Sequence, residues 1–383
     1  MTVPFHRAAI GEEEIAEVVE TLRSGWLTTG PKVERFQREF AAAVSARHAV
    51  ALNSATAALH LALEAVGVKP GDEVVIPAYT FTATGEVVTY LGARPVLADC
   101  RADTLNLDAS TIEARLTSRT KAIVPVHIAG QTCDMEPILD MARSRGLAVV
   151  EDAAHAFPAT YKGRPVGTIG DVTAFSFYAT KTITTGEGGM VTTERDDYAA
   201  RIKLMSLHGM SGDAWNRYSA RGRWAYEVVD FGFKYNMTDI AAALGLAQLK
   251  RMSVFQQRRE AIARRYSDAF GQLDTCFVPR DVGLGMHAWH LYILEVNPAA
   301  LSVGRNEVVE RLREKGVSTS VHFIPLNLHP VYQRTFGYAA GQFPIAEAVF
   351  SRACSLPIFP AMTDAEVDHV IDAVRATLRE ARR

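Results

Sequence analysis

The chain has 383 residues, 48% hydrophobic and 22% charged, with 41 Lys+Arg against 43 Asp+Glu. A composition this close to the globular average excludes disorder, collagen and coiled coil, and a net charge of -2 excludes a globally basic field for nucleic acid or acidic lipid. The length allows about two or three domain-sized units. Residues 1–14 carry no apolar leader core, and no run of about 18 apolar residues occurs. Neither secretion nor a membrane span is therefore expected, and the expected location is the cytoplasm. Cys100, Cys133, Cys276 and Cys354 are scattered with no C-x-x-C, as in proteins with reduced structural thiols.

Taken in chain order, the first two thirds alternate apolar runs with helical patterns. Ala49–Leu52 reads as a strand and is followed by a helix from Ser54-Ala55-Thr56 to about Val66. Glu73–Ile76 is a second strand leading into a helical stretch over Thr82–Leu91. Pro95–Ala98, Ala122–Val126 and Leu147–Val150 follow as further apolar strands. Uninterrupted apolar strands alternating with helices predict a parallel sheet covered on both faces, with ligands bound beyond the carboxyl ends of its strands. Near Asn236 the pattern changes. Thr238-Asp239 predicts the cap of a helix over Ile240–Leu249, and Phe255, Ile262, Tyr266 and Phe270 predict one apolar face of the next helix. Beyond Pro279 a strand (Trp289–Leu294), a helix (Asn306–Lys315), a strand (Val317–Phe323) and a helix (Asp364–Arg379) are expected. The expected division is a large domain over 1–250 and a smaller α/β domain over 251–383.

Three strand ends carry chemistry. Leu147–Val150 runs into Glu151-Asp152, and a carboxylate at the end of a buried strand needs a donor or a cation. A helix cap or a structural ion pair would serve, and so would a cationic ligand ring. Ala174–Ser176 leads to Lys181, followed by Gly186-Glu187-Gly188-Gly189. A lysine there is a loop charge or a desolvated amine available to a carbonyl, since burial lowers its pKa. Ser54-Ala55-Thr56 offers hydroxyls and free N–H groups at a helix start, which suits either an ordinary cap or a phosphate. Together, a phosphate cradle, an aspartate and a desolvated lysine are the parts that pyridoxal 5'-phosphate (PLP) requires.

At these residues the chain resembles the DegT/DnrJ-type nucleotide-sugar aminotransferases, which are fold-type I PLP-dependent enzymes. The likeness runs from Gly25-Trp26-Leu27-Thr28-Thr29-Gly30-Pro31 to Ser355–Pro360. Its most specific segments are Glu151-Asp152-Ala153-Ala154-His155 and Phe175–Lys181 with the 186–189 turn. The resemblance implies a mostly parallel seven-stranded sheet between helices, with a smaller C-terminal α/β domain. It implies Lys181 as the Schiff-base lysine and proton shuttle, and Asp152 as partner of the pyridinium nitrogen. It places His155 near the ring hydroxyl, Ala55, Thr56 and Ser176 at the phosphate, and Phe81 on the ring. Asn236 would complete the phosphate site of a neighbouring subunit, which implies a homodimer with shared active sites. Ala55 stands where many relatives have Gly, a change that keeps the backbone donor.

The reaction so implied is a ping-pong transfer of an amino group from L-glutamate to a nucleotide-linked keto sugar. A UDP- or dTDP-4-keto sugar is the expected acceptor, and a 3-keto sugar or keto-cyclitol the alternative. Thr29, His208, Arg217, His322 and His127 are candidates for the sugar pocket. Arg217, in Asp213–Tyr218, would supply charge to the diphosphate. Some relatives carry histidine in place of the lysine and are dehydratases, but Lys181 favours transamination. The 186–189 glycines do not follow G-x-G-x-x-G, no H-E-x-x-H or Cys/His cluster predicts a metal, and no cysteine sits in a desulfurase-type loop.

Overall fold

The computed structural model describes residues 1–211 and 226–383. Seven strands form one sheet: β1 (His48–Leu52), β2 (Glu73–Pro77), β3 (Arg94–Ala98), β4 (Thr120–Ile123) and β5 (Ala148–Asp152), then, beyond a short β6–β7 hairpin (Thr160–Tyr161, Arg164–Pro165), β8 (Val172–Ser176) and β9 (Gly189–Thr193). Their spatial order is β1-β9-β8-β5-β4-β2-β3. Neighbours from β8 through to β3 are parallel, whereas β9 runs antiparallel to both β1 and β8. The sheet is therefore α/β and mostly parallel, of the fold-type I kind that the resemblance implied. All five residues of β2, β8 and β9 are buried; apart from Glu73, which Thr117 and Arg119 partner, they are apolar or small.

The helix Ala55–Ala65 covers one face and buries every residue from Ala57 to Leu63. Pro31–Ala43 and Asp239–Lys250 cover the other, placing Phe36 and Phe40 against Phe175 and Phe177. Thr238 caps Asp239–Lys250 by accepting from the Ala241 N–H, and Phe255, Ile262, Tyr266 and Phe270 are all buried on the following helix.

A second core gathers around an antiparallel sheet of β10 (Cys276–Phe277), β11 (Tyr292–Val296) and β12 (Ala353–Leu356), with the helices Arg305–Glu314 and Asp364–Glu380. Two expectations shift here. The strand expected at Trp289–Leu294 begins at Tyr292, because Trp289 has a left-handed backbone (φ 47°) that cannot continue a pleat. Val317–Phe323 makes no strand of its own. It pairs at isolated points only, Val317 with Val3 and Ser320 with Ser355, before turning toward the large sheet. Val3 belongs to this second core, so the first residues of the chain are packed against its last third. The four cysteines are buried and free, and no helix among the described residues is long and apolar enough to cross a membrane.

Candidate active site

The carboxyl ends of β5 and β8 and the start of the helix Ala55–Ala65 open into one cavity of about 680 Å³. Asp152, the last residue of β5, is buried in its wall. Its Oδ2 accepts from Thr84 Oγ1 at 2.8 Å and its Oδ1 from the Ala154 N–H at 3.1 Å. Burial pushes its carboxyl up; those two donors and the charge of Lys181 oppose the rise. Among the described residues, Asp152 has no salt-bridge partner within 4 Å, so one buried anion is left for a cation in the cavity.

Lys181 follows β8 by five residues and faces the same space. Burial pulls its amine down to about 8; Asp152 opposes this and the Arg259 charge adds to it. Its hydrogen-bonding neighbour is His290 Nε2, 3.5 Å from Nζ. A lysine amine near pH 8 is partly neutral and can attack a carbonyl.

Ser54 caps the helix by accepting from the Ala57 N–H at 3.1 Å. The N–H groups of Ala55 and Thr56 have no intrahelical acceptor, being in the first turn, and both residues line the cavity with Ser176. Gly189 makes that approach possible: a Cβ there would lie 2.3 Å from the Ser54 carbonyl oxygen and 2.7 Å from the Ala55 nitrogen.

His155 accepts from the Ala129 N–H at Nδ1 (3.3 Å), so its single proton sits on Nε2. Burial and the Lys181 charge keep the ring neutral by holding its pKa well below 6.5. His322 also lines the cavity, with Nδ1 2.9 Å from Ser355 Oγ, and burial lowers it to about 4. Phe81 stands 59% exposed at the rim.

The other expected residues lie elsewhere in the single chain. Asn236 Nδ2 donates to Thr29 Oγ1 at 2.7 Å, Thr29 donates to the Met237 carbonyl, and neither side chain lines the cavity. His208 is exposed away from it, and Arg217 lies outside the described residues. His127 is buried behind the cavity wall, its Nε2 2.9 Å from Glu151 Oε2 and its Nδ1 accepting from the Cys133 N–H. Phe5, His6, Thr84, His290 and Phe323 are among the wall residues that the sequence did not mark. The density of ring residues in His287-Ala288-Trp289-His290 was the one available signal for His290.

A family model for the DegT/DnrJ/EryC1/StrS aminotransferases matches residues 8–375. The chain belongs to that family. Among DegT/DnrJ/EryC1/StrS relatives, the spore coat polysaccharide biosynthesis protein SpsC of Bacillus subtilis is 53% identical over 380 residues, covering 99% of this chain and 98% of the relative. The PLP form of a protein from Streptococcus pneumoniae, described as a sugar aminotransferase, superposes with a TM-score of 0.91 at 36% identity over 99% of each chain. PseC of Helicobacter pylori, an aminotransferase involved in the biosynthesis of pseudoaminic acid, superposes with a TM-score of 0.92 at 27% identity, covering 99% of this chain and 100% of the other.

The cavity fits the cofactor of a DegT/DnrJ/EryC1/StrS enzyme. It offers free N–H groups for a phosphate, a buried carboxylate with no ion pair among the described residues for a ring nitrogen, and an amine of lowered pKa for an aldehyde.

Proposed function

We propose that this enzyme, a PLP-dependent sugar aminotransferase, takes its amino group from L-glutamate and delivers it to a nucleotide-linked keto sugar, with a UDP- or dTDP-4-keto sugar as acceptor. The observation that carries the reading is the facing of Lys181 and Asp152 across one cavity that a helix N-terminus also enters. When bound, PLP supplies a carbonyl that accepts the amine and a ring that withdraws electrons from the carbon losing its proton.

The chain's own residues do the rest. Ala55 and Thr56 N–H groups and the Ser176 hydroxyl would hold the phosphate. The Asp152 carboxylate, oriented by Thr84, would keep the ring nitrogen protonated. His155, with its proton on Nε2, would serve the ring hydroxyl. Lys181 Nζ would take the proton from the donor's α-carbon and pass it to the carbon of the cofactor's former carbonyl, and in the second half of the cycle would carry a proton from that carbon to the sugar carbon that gains the amine. His322 offers a neutral imidazole to the sugar, and the rings of Phe81 and Phe323, 6.0 Å apart, shield the reacting groups from water.

The same reading makes the working unit a homodimer, with Asn236 and Thr29 of each protomer serving the partner's cavity. Phe231, 94% exposed in the segment that leads to Asn236, supports it. So does the exposure of Val228 and Val229 beside it.

Purified protein mixed with PLP should develop the visible band of a lysine-bound cofactor, and glutamate should bleach it with release of 2-oxoglutarate. A screen of UDP- and dTDP-linked 3-keto and 4-keto sugars then identifies the acceptor by return of the band. No band with PLP overturns the assignment of Lys181, and a band that no nucleotide sugar restores overturns the acceptor class. Mixing Lys181→Ala with Asn236→Asp subunits should recover activity if sites are shared; no recovery sinks the sharing.

A further inference from the structure

His287-Ala288-Trp289-His290 enters β11 through a loop whose backbone is held from three directions. Trp289 takes a left-handed conformation, which is rare for a bulky residue and persists only where its surroundings over-determine it. Its N–H donates to His287 Nδ1 at 2.8 Å, and the two rings stack 3.9 Å apart. From the large sheet, the left-handed Ala129 (φ 59°) and Gly130 meet this loop: the Ala288 N–H donates to the Gly130 carbonyl and the His290 N–H to the Ala129 carbonyl, each at 2.9 Å. Any side chain at Gly130 would come within 2.9 Å of Ala288 Cβ. From the third side, Arg259 Nη1 donates to the carbonyls of Trp289, His290 and Ile358 at 3.3, 3.2 and 2.9 Å. That guanidinium is fully buried, and among the described residues its Nε and Nη2 have no partner.

So much restraint on one loop fixes one side chain that faces the cavity. The His290 ring lies 4.4 Å from the His155 ring and its Nε2 lies 3.5 Å from Lys181 Nζ. Its Nδ1 is buried and has no partner among the described residues. Among the described residues, no other side chain is in hydrogen-bonding range of Nζ.

We propose that His290 is a positioning residue for Lys181, its Nε2 accepting from the amine and so holding Nζ in the direction of attack on a bound carbonyl. Burial, and then the charge of Lys181, keep the imidazole neutral, and with its one proton on Nδ1 the Nε2 atom is free to accept. The lysine chain has four rotatable bonds, and a fixed acceptor at its tip removes orientations that cannot react. This inference rests on the reading of Lys181 as the amine that takes PLP.

The experiment is the rate of PLP capture by cofactor-free protein, followed as growth of the visible band, for wild type, His290→Leu, His290→Gln and His290→Asn. Pyridoxal, which lacks the phosphate, serves as a second probe. Loss of the acceptor in His290→Leu should slow capture of both probes roughly tenfold or more, the scale of one hydrogen bond. His290→Gln places an oxygen near the former Nε2 and should recover most of the rate. His290→Asn is one bond too short and should not. Thermal midpoints should stay together, which separates orientation from folding. Wild-type capture by His290→Leu overturns the proposal, as do equal rates for the Gln and Asn variants; the latter comparison decides if the Leu variant does not fold. Failure of the wild type to capture PLP at all would instead overturn the role of Lys181.

Discussion

Thr84 Oγ1 donates to Asp152 Oδ2 across 2.8 Å inside the cavity wall, and the same hydroxyl lies 2.9 Å from Thr80 Oγ1. The carboxylate is thus oriented by a threonine 68 positions earlier, on the helix that follows β2.

Thr84→Val keeps the shape and removes the donor. One Asp152 lone pair is left unsatisfied in a buried place, at a cost of about 1–3 kcal/mol to the ionised form. PLP affinity, titrated by absorbance, should fall roughly tenfold with little change in kcat at saturating cofactor. Unchanged affinity would show that the Ala154 N–H alone orients the carboxylate.

The lowered pKa of Lys181 gives a pH profile. The amine titrates at about 8 instead of 10.5, because burial disfavours its charged form. The capture rate of PLP should therefore climb with pH and level off just above 8. A rate still climbing at pH 10 would contradict a desolvated Lys181.

Glu151 and His127 form a fully buried pair behind the site. Glu151 also accepts from the Gly170 N–H at 2.7 Å and from Thr173 Oγ1 at 2.8 Å. Burial raises the Glu151 carboxyl, but these donors outweigh it and hold the pKa below 4.5. Its contribution to stability is therefore present above pH 4.5 and lost as pH falls through the lower folded value. His127→Phe should cost about 3 kcal/mol at pH 7, measured by denaturant unfolding, and the difference from wild type should shrink below pH 4.5. A difference that stays constant with pH would mean that Glu151 is not ionised in the fold.

Gly189→Ala pushes a Cβ to 2.3 Å from the Ser54 carbonyl oxygen, a backbone atom that cannot step aside. The start of the helix must shift, and PLP retention after gel filtration should fall sharply. Gly304→Ala, with open space around its Cβ, is the control and should behave as wild type to within about 0.5 kcal/mol. Full PLP retention by Gly189→Ala would argue against a phosphate at this helix end.

What was legible in the sequence follows from chain locality. Asp152 and Lys181 each sit at or just beyond an apolar strand, and Ser54 at a helix cap, so short windows betray them. Thr84, His290 and Phe323 reach the cavity from a helix start and two loops, and no period marks such positions. Val317–Phe323 has the alternation of a strand, yet it pairs only at isolated bridges, and His322 and Phe323 at its end line the cavity. The link between Asn236 and Thr29 spans 207 positions and has no local signature.

Phe5 and His6 line the cavity while Val3 is bonded to Gly316 and Ser318, and Arg7 reaches Glu366 at 3.0 Å. One wall of the cofactor cavity is thus held in place by partners far away in the chain, in the core that gathers around β10–β12. Loosening that second core would be felt at Lys181 as a pocket open on one side, although the parallel sheet itself stayed intact.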